Sequence, residues 1–386
     1  MPGPSPNADL PPDVLDEVRL SAVRGVGPRM RQKLIDRFGS AGGALSAAAA
    51  DLGAVSGVGP KLAGAIARAP DRESVGRMLA DAAQYGVRVL TPADEEYPPG
   101  LREIHDPPPV LYCRGAIHAE DRRAVAIVGT RRATRYGLRC AATFAAELAR
   151  AGVTVVSGLA RGVDGAAHTA ALDAGGRTLA ALAGGLSRIY PPEHTRLADR
   201  VAERGALLAE APPPMPPMAG AFPQRNRIIS GLSLGVLVIE AAERSGALIT
   251  VRHAAEQGRD AFALPGPIDS PQSRGCHRVI QEGAKLVTSV DDVLEEIDGF
   301  APAAPVRAAR PTPAAAPAAS PPADPPPIDW DEPEATLLGC INDEPTSIDT
   351  LVGATQLPVE RVLASLSRLE AGGAVTRVSG VLVRRA

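Results

Sequence analysis

The chain contains 386 residues, 45% of them hydrophobic and 22% charged, with a formal net charge of −3 at pH 7. This length predicts two or three domains, and the four scattered cysteines form no C-x-x-C pair, which argues against a disulfide or zinc framework. No signal peptide is apparent and no apolar run is long enough to span a bilayer. We therefore expect a cytoplasmic protein that uses no metal or other cofactor and has no membrane contact.

The first predicted domain, residues 1–82, is an alanine-rich helical region with an internal repeat. Arg24–Arg29 (RGVGPR) recurs 32 positions later as Ser56–Lys61 (SGVGPK), and helix-like segments follow at Met30–Phe38 and Leu62–Ala69. G-V-G-P between two short helices resembles the helix-hairpin-helix, or SAM-like, module. In that module glycines allow a tight turn and backbone N–H groups can hold a DNA phosphate. A hairpin that only packs against its neighbours is the alternative.

The second predicted domain, residues 83–298, begins with an ordered connector at Gly86–Gly115 and continues as an α/β sheet. Seven strand-like segments alternate with helix-like segments. They are Val125–Val128, Val153–Val156, Thr178–Ala183, Leu207–Ala209, Val236–Glu240, Ala261–Leu264 and Lys285–Val287. This alternation predicts βαβ units and a Rossmann-like, mostly parallel, doubly wound sheet.

The remainder of the chain is predicted to be a linker, residues 299–328, and a winged helix-turn-helix domain, residues 329–386. Ten prolines between positions 301 and 327 predict a semi-extended linker. Two helix starts, a glycine stop and a short hairpin at Val375–Val383 then follow in the order of a winged helix. The candidate recognition helix, Val359–Leu369, carries arginine and glutamate together, so contact with DNA and contact with a protein are both open.

Two loops of the central domain combine glycine, hydroxyl and arginine at the ends of predicted strands, where open α/β sheets bind their ligands. In a third region, two arginines and an asparagine precede an apolar helix and the strand Val236–Glu240, and Ser245-Gly246 follows that strand. Neither a P-loop nor G-x-G-x-x-G is present, and six arginines without an acid lie between Arg122 and Ala146. We expect arginine side chains, hydroxyls and backbone N–H groups to cradle phosphate oxygens there. The candidate residues are Gly129, Thr130, Arg131, Arg132, Ser157, Gly158, Arg161, Gly162, Arg225, Asn226, Arg227, Ser245 and Gly246.

Three points in these regions have alternative interpretations. Asp164 is expected to cap the helix that follows it, although a carboxylate there could also be a general base. His168 lies one turn further on and either pairs with Asp164 or lines the helix face or crevice. Arg225 or Arg227 could pair with Glu240 or Glu243 instead of with phosphate. Since no nucleophile or metal partner is evident, no catalytic residue is predicted.

Six segments between Tyr97 and Val287 resemble the DNA-processing protein A (DprA/Smf) family. They are YPPGLREIHDPPPVLYCRG, AIVGTRRATRYG, VVSGLARGVDGAAHTAALDAGGRT, FPQRNRIISGLS, VLVIEAAERSGALITVRHAAEQGRDAFALPG and GCHRVIQEGAKLV. The resemblance implies an extended Rossmann-like domain that binds single-stranded DNA, forms a homodimer and delivers DNA to the RecA recombinase in natural transformation. The cations of the family's DNA pocket fall on Arg131 and Arg161. His194 and His277 stand where the family commonly has asparagine, so we expect a weaker pocket or one that responds to pH near 6–7.

We therefore predict a non-enzymatic protein that protects incoming single-stranded DNA and loads RecA. The alternatives are a Rossmann-like nucleotide hydrolase of the phosphoribohydrolase type using the same crevice, and a duplex-DNA regulator acting through the winged helix. Because only 3% of residues are aromatic, phosphate contacts should dominate over base stacking. Val236–Ile239 and Ala261–Leu264 come late in the strand order and could lie near an exposed edge that dimerises. They could equally be ordinary core strands.

Overall fold

The computed structural model describes residues 10–300, 332–341, 346–355, 357–371, 374–379 and 382–385. The chain divides into two compact units, residues 1–306 and residues 307–386. Within the described ranges, no helix has the length and apolar character needed to cross a membrane. The finer domain boundaries given above remain predictions.

The first unit begins with six helices in which the two copies of the repeat pack on each other. The helices are α1 (Pro12–Ser21), α2 (Pro28–Phe38), α3 (Ala41–Ser46), α4 (Ala49–Gly53), α5 (Pro60–Ala67) and α6 (Arg72–Ala83). Gly25 and Gly57 turn the chain before α2 and α5 at φ values of +102° and +96°. A Cβ on Gly25 would lie 3.2 Å from Leu62 Cδ1, and one on Gly57 would lie 3.0 Å from Met30 Cε. Leu62 and Met30 are equivalent in the repeat, so each turn packs on the helix of the other copy, and the helix-hairpin-helix prediction is confirmed.

A nine-stranded sheet follows, in the order β1-β2-β6-β5-β4-β3-β7-β8-β9. The strands are β1 (Val87–Leu90), β2 (Leu111–Gly115), β3 (Ala124–Val128), β4 (Thr154–Ser157), β5 (Thr178–Leu182), β6 (Ala206–Ala209), β7 (Gly235–Val238), β8 (Asp260–Ala263) and β9 (Lys285–Leu286). Seven neighbouring strands of this order are mutually parallel, namely β6, β5, β4, β3, β7, β8 and β9. All seven were predicted, and the mostly parallel Rossmann-like sheet is confirmed.

The connector Gly86–Gly115 is part of the sheet, because it supplies β1 and β2. These strands pair with each other antiparallel, and β2 pairs antiparallel with β6. Both are short and are separated by proline-rich turns, which hid them in the sequence. The prediction of a mere connector is therefore wrong in this respect.

Helices cover both faces of the sheet. They are α7 (Pro99–Arg102), α8 (Arg135–Arg150), α9 (Val163–Asp173), α10 (Thr195–Arg204), α11 (Ala221–Gly231), α12 (Ala247–Glu256), α13 (Arg274–Gln281) and α14 (Asp291–Phe300). Side chains of β3 alternate between the two cores: Ala126 and Val128 pack on one face, and Val125 and Ile127 pack on the other. Burial on both faces explains the uninterrupted apolar run of this strand.

The sheet changes direction at β3, which has β4 on one side and β7 on the other. At such a switch point the loops leaving the strands diverge to opposite faces and open a crevice at the carboxyl ends. The same order shows that β7 and β8 each pair with a strand on both sides. Val236–Ile239 therefore belongs to an internal strand. Ala261–Leu264 lies beside β9, the two-residue strand at the edge of the sheet, so it is near an edge, and dimerisation there remains a prediction.

The second unit is a winged helix. It contains α15 (Glu332–Cys340), β10 (Thr346–Ser347), α16 (Ile348–Thr355), α17 (Val359–Ala371), β11 (Val375–Ser379) and β12 (Leu382–Arg385), with strand order β10-β12-β11. The predicted recognition helix is α17. Its Arg368 pairs with Glu334 at 3.3 Å, and its exposed side chains include Val359 and Leu363. The predicted linker, apart from its first two residues in α14, and the Gly380 turn lie outside the described residues.

Candidate nucleic-acid interface

A cleft of about 480 Å³ lies at the switch point, between the β3–α8 loop and the starts of α11 and α12. Eight predicted residues line it: Gly129, Thr130, Arg131, Arg132, Arg225, Asn226, Ser245 and Gly246. Gly158 and Arg161 instead line an adjoining depression with Tyr190 and Arg188. Because Arg131, Ala160 and Phe222 border both hollows, we treat the two as one groove.

Arg131 lies between the two halves of the groove. Its guanidinium is 4.6 Å from the centroid of the Phe222 ring, and Tyr190 meets Phe222 edge-on with ring centroids 6.2 Å apart. Arg131 and Arg132 are both exposed, and within the described ranges neither forms an ion pair with a carboxylate. Both cations are therefore available to an anion, and the stacking on Phe222 orients the first of them.

Arg161 is the other expected pocket cation, and it is paired in this structure. Its guanidinium binds the Glu193 carboxylate, with the two side chains 52% and 48% exposed. This hydrogen bond raises the pKa of Arg161 and lowers the pKa of Glu193. The neighbouring His194 donates from Nδ1 to the carbonyl of Leu159 at 2.9 Å, so the Glu193 turn is fastened to the Arg161 loop at two points.

The backbone amides of the β4–α9 loop are occupied by the protein itself. The Asp164 carboxylate accepts hydrogen bonds from the N–H groups of Gly158 and Ala160, at 3.1 and 3.3 Å. Burial raises the pKa of Asp164. The helix cap of α9 is Gly162, so the prediction that Asp164 caps this helix is wrong. Asp164 lines the cleft, but its carboxylate already fills the expected amide cradle.

His168 also stabilises the β4–α9 loop, and it is buried beneath that loop. The N–H of Leu159 donates to His168 Nε2 at 3.3 Å, and His168 Nδ1 lies 2.7 Å from the hydroxyl of Thr178. That hydroxyl donates to the carbonyl of Val155, so Nδ1 carries the proton and donates to it. Burial lowers the pKa of His168 to about 3. The residue is a neutral structural histidine. Among the described residues its ring bonds to Leu159 and Thr178 and not to Asp164.

Two further candidates shape the loops without facing the groove. Ser157 is fully buried and donates to the carbonyl of Ile127 at 2.6 Å, so its hydroxyl is not a phosphate ligand. Gly162 has a φ of +75°, and a Cβ there would overlap the carbonyl oxygen of Thr130. Gly162 thus lets the two loops touch, which brings Arg131 and Arg161 to the same groove.

Glu240 stabilises the start of α8. Its carboxylate accepts from the backbone N–H and the hydroxyl of Thr134, at 2.9 and 2.6 Å, and its own carbonyl accepts from the N–H of Thr130 at 2.7 Å. A carboxylate at a helix N-terminus offsets the positive end of the helix dipole. Glu240 is therefore a structural anion, and the amides of Thr134 and Thr130 are not free to bind phosphate.

Arg225 is buried at the floor of the cleft. Its Nη1 donates to the carbonyls of Gly158, at 2.8 Å, and Ala181. Burial lowers its pKa to about 10, an effect that the nearby Asp164 opposes. Arg225 therefore ties the ends of β4 and β5 together, and among the described residues it does not form the alternative pair with Glu240 or Glu243.

Arg227 lies away from the groove. Its Nη2 is 2.8 Å from both oxygens of Glu210, and its Nε is 2.9 Å from Asp106. A buried guanidinium held by two carboxylates cannot also serve phosphate, so Arg227 is removed from the candidate set. The alternative of a structural ion pair holds, but with partners other than those named from the sequence.

Asn226 connects α11 to the start of α12. Its side-chain amide donates to the carbonyl of Gly246 at 3.1 Å, and the hydroxyl of Ser245 accepts from the N–H of Ala247 at 3.3 Å. These bonds fix the N-terminus of α12 at the wall of the cleft. The positive end of that helix dipole adds to the field of Arg131 and Arg132.

Sequence reasoning missed Arg188 and did not weigh Glu193 at all. Arg188 precedes Tyr190 by two residues in the β5–α10 loop, and its position after a predicted strand was the available signal. His277, like His194, donates to a backbone carbonyl, that of Gly266 at 2.9 Å. An asparagine amide could make either bond. The expected response to pH remains a prediction.

Comparisons with known proteins agree with these features. Residues 88–298 match the family described as DNA recombination-mediator protein A. Residues 321–381 match the DprA winged helix domain and residues 17–69 match the SAM-like helix-hairpin-helix tandem. The chain is 44% identical over 300 residues to Protein Smf of Escherichia coli (strain K12), which covers 76% of this chain and 77% of that protein.

Two solved structures are similar in fold. The X-ray structure of DNA processing protein A from Streptococcus pneumoniae has a TM-score of 0.61 and 36% identity, over 72% of this chain and 95% of that one. The structure of DNA processing protein A from Helicobacter pylori, a protein described as having a unique single-stranded DNA binding mode, has a TM-score of 0.50 and 30% identity. It covers 56% of this chain and 97% of that one.

Proposed function

Because the chain belongs to the DNA recombination-mediator protein A family, we propose that it binds single-stranded DNA in the groove. The observation that carries this proposal is the pair Arg131 and Arg132, both exposed at the switch point. The amides of Thr130, Gly158 and Ala160 are already hydrogen-bonded within the protein. The guanidinium groups, the Thr130 hydroxyl and the α12 N-terminus therefore supply the attraction for phosphate.

Phe222 and Tyr190 give the groove an additional preference for unpaired bases. Tyr190 is 43% exposed and lies edge-on to Phe222. An unpaired base of a strand whose phosphates contact the groove arginines can therefore pack on the Tyr190 ring. Bases in a duplex are already stacked and do not offer their faces. Phosphate contacts supply most of the affinity, and the aromatic pair favours single strands over duplex.

We propose that the bound strand is protected and passed to the RecA recombinase during natural transformation, by a homodimer in the cytoplasm. The support is family membership, and no residue is assigned to the RecA contact or to the dimer interface. Light scattering at micromolar protein concentration tests the oligomeric state, and a strict monomer would remove the dimer from this proposal.

The protein is proposed not to be an enzyme. Two acids beside the groove, Glu240 and Asp164, are each bound to backbone amides and hold loops in place, and a third, Glu193, is paired with Arg161, so none of the three is free to act on a nucleotide. Incubation with nucleoside monophosphates tests the hydrolase alternative. Release of free base at a rate that depends on Glu240 would overturn the proposal.

Replacing Arg131 by alanine is the direct test of the groove. One charge-assisted contact contributes about 1.5–3 kcal/mol, so oligo-dT affinity should fall roughly 10- to 150-fold. Stability should change by at most about 0.5 kcal/mol, because the side chain is exposed. Arg161→Ala should have a smaller effect, since Glu193 already offsets that charge.

The matched control is Arg150→Ala, which removes an exposed arginine at the far end of α8. It should bind oligo-dT like the wild type. Equal affinity in Arg131→Ala and Arg150→Ala would show that the groove is assigned wrongly.

A further inference from the structure

A second cleft lies beside the groove, between the first copy of the repeat and the sheet. It encloses about 320 Å³. Its apolar lining includes Val26 of the first hairpin, Leu182 at the end of β5, Ile228 of α11, and Met215 and Met218. Met218 is 40% exposed, so part of this apolar surface faces solvent. We call it the hairpin cleft.

The hairpin cleft is continuous with the groove. Leu182 and Ala183 line both. The proline-rich segment between them is a shared wall, with Pro217 on the groove side and Met218 on the cleft side. A hydrogen bond from the N–H of Gly185 to the carbonyl of Met215, at 2.8 Å, helps to fix this wall against the turn after β5.

Two arginines without a carboxylate partner among the described residues lie along the groove and the hairpin cleft. Arg188 lines the groove and Arg24 lines the hairpin cleft. Both are exposed, and in the part of the chain that the structure describes neither forms an ion pair with a carboxylate. Of the other charged side chains that line the cleft, Arg31 pairs with Glu17 and Glu210 pairs with Arg227. Arg225 is buried and donates to the carbonyls of Gly158 and Ala181.

The two copies of the repeat differ at the relevant position. Arg24 in the first copy is Ser56 in the second, and the Ser56 carbonyl accepts a hydrogen bond from Lys33 at 3.0 Å. A Cβ on Gly27 would lie 3.3 Å from Gln224 Nε2, whereas one on the equivalent Gly59 would meet nothing within 4 Å. The first hairpin is therefore the copy that packs against the sheet domain and carries the cation.

We propose that the hairpin cleft is a second subsite for single-stranded DNA. Bases of the nucleotides beyond the groove pack on Met218 and Val26, and Arg24 holds their phosphates. The combination of an apolar floor with unpaired arginines suits unstacked nucleotides, because bases need an apolar face and phosphates need cations. This inference rests on the proposed function and gives the first helix-hairpin-helix copy a role in DNA contact that the second copy lacks.

The test measures affinity against oligo-dT length for the full chain, for Arg24→Ala and for Met218→Ser. In the wild type, affinity should rise with length until both subsites are filled. In each variant it should stop rising at a shorter length, with a loss of roughly tenfold on long oligonucleotides and none on the shortest ones that bind. Both side chains are exposed, so neither change endangers folding.

Arg29→Ala is the matched control. It removes an exposed arginine from the same hairpin that does not line the cleft, and its length dependence should follow the wild type. If Arg24→Ala and Met218→Ser also follow the wild type, the hairpin cleft binds no DNA. In that case a loss of short-oligonucleotide binding in Arg131→Ala would still support the groove, so the two proposals fail separately.

Discussion

In the proposed binding mode, Glu193 competes with phosphate for Arg161. The two side chains are about half exposed, and exposed ion pairs contribute about 0–1 kcal/mol. A phosphate must displace Glu193 to reach this arginine. Glu193→Gln should therefore tighten oligo-dT binding, by up to roughly fivefold, in a fluorescence titration at fixed salt.

Glu203→Gln provides the comparison, because it removes an exposed acid near the far end of α10. It should leave the affinity unchanged. Weaker binding in Glu193→Gln than in Glu203→Gln would mean that Glu193 positions Arg161 for DNA instead of restraining it.

His168 should make stability depend on pH. Its pKa is lowered from 6.5 to about 3 by burial, so between these values the unfolded chain takes up a proton that the folded chain refuses. The free energy of unfolding therefore falls as pH drops below 6.5. From about pH 7 to about pH 5 this residue alone should remove about 2 kcal/mol.

Urea denaturation of the wild type and His168→Gln at both pH values checks this expectation. The variant will be less stable at neutral pH, since it disturbs the bonds to Leu159 and Thr178, but its loss on acidification should be smaller by that amount. An identical loss in both proteins would contradict a neutral buried imidazole.

At the scale of helices, two glycines test how α8 is fixed to the sheet. A Cβ on Gly137 in α8 would overlap the Glu240 carboxylate, whereas one on Gly76 in α6 would meet nothing within 4 Å. Gly76→Ala should stabilise the protein by up to about 1 kcal/mol, because alanine favours helix. Gly137→Ala should instead destabilise it by about 1–3 kcal/mol, since Glu240 must move.

Thermal unfolding of the two variants beside the wild type measures the contrast. The prediction requires shifts of opposite sign. A stabilised Gly137→Ala would mean that Glu240 is not held against the first turn of α8.

The elements of the sheet were predictable where burial on both faces gives an apolar run, as in β3 and β4. β1 and β2 were not, because each is short and their pairing depends on proline-rich turns between them. The amides of the β4–α9 loop were also beyond prediction. Their occupancy depends on Asp164 turning back towards Gly158 and not capping its helix, and Asp and Ser at such positions have several local partners open to them.

The roles of the candidate arginines were also not predictable from the sequence. Arg131, Arg225 and Arg227 look alike in sequence, yet the first is exposed, the second holds two strand ends, and the third is buried between Glu210 and Asp106. Their partners lie far away along the chain, so only the fold decides which arginine remains free. The strand order predicts the place of the site, and tertiary contacts select its residues.

For the whole molecule, a formal charge of −3 means that attraction for DNA must be local. Exposed charges act over roughly 10 Å or less at physiological salt, so the groove arginines dominate any approach to phosphate. If the proposed groove is the DNA site, an overall acidic chain should bind nucleic acid there and not over its general surface.

The most direct measurement is a titration of oligo-dT and of a matching duplex at several salt concentrations, with the wild type and Arg131→Ala. The single strand should bind more tightly, and the log–log salt slope should be near −3 if about four arginines contact phosphate. Arg131→Ala should reduce the slope by about 0.7. Equal affinity for the duplex, or a slope that Arg131→Ala leaves unchanged, would contradict a single-strand groove at the switch point.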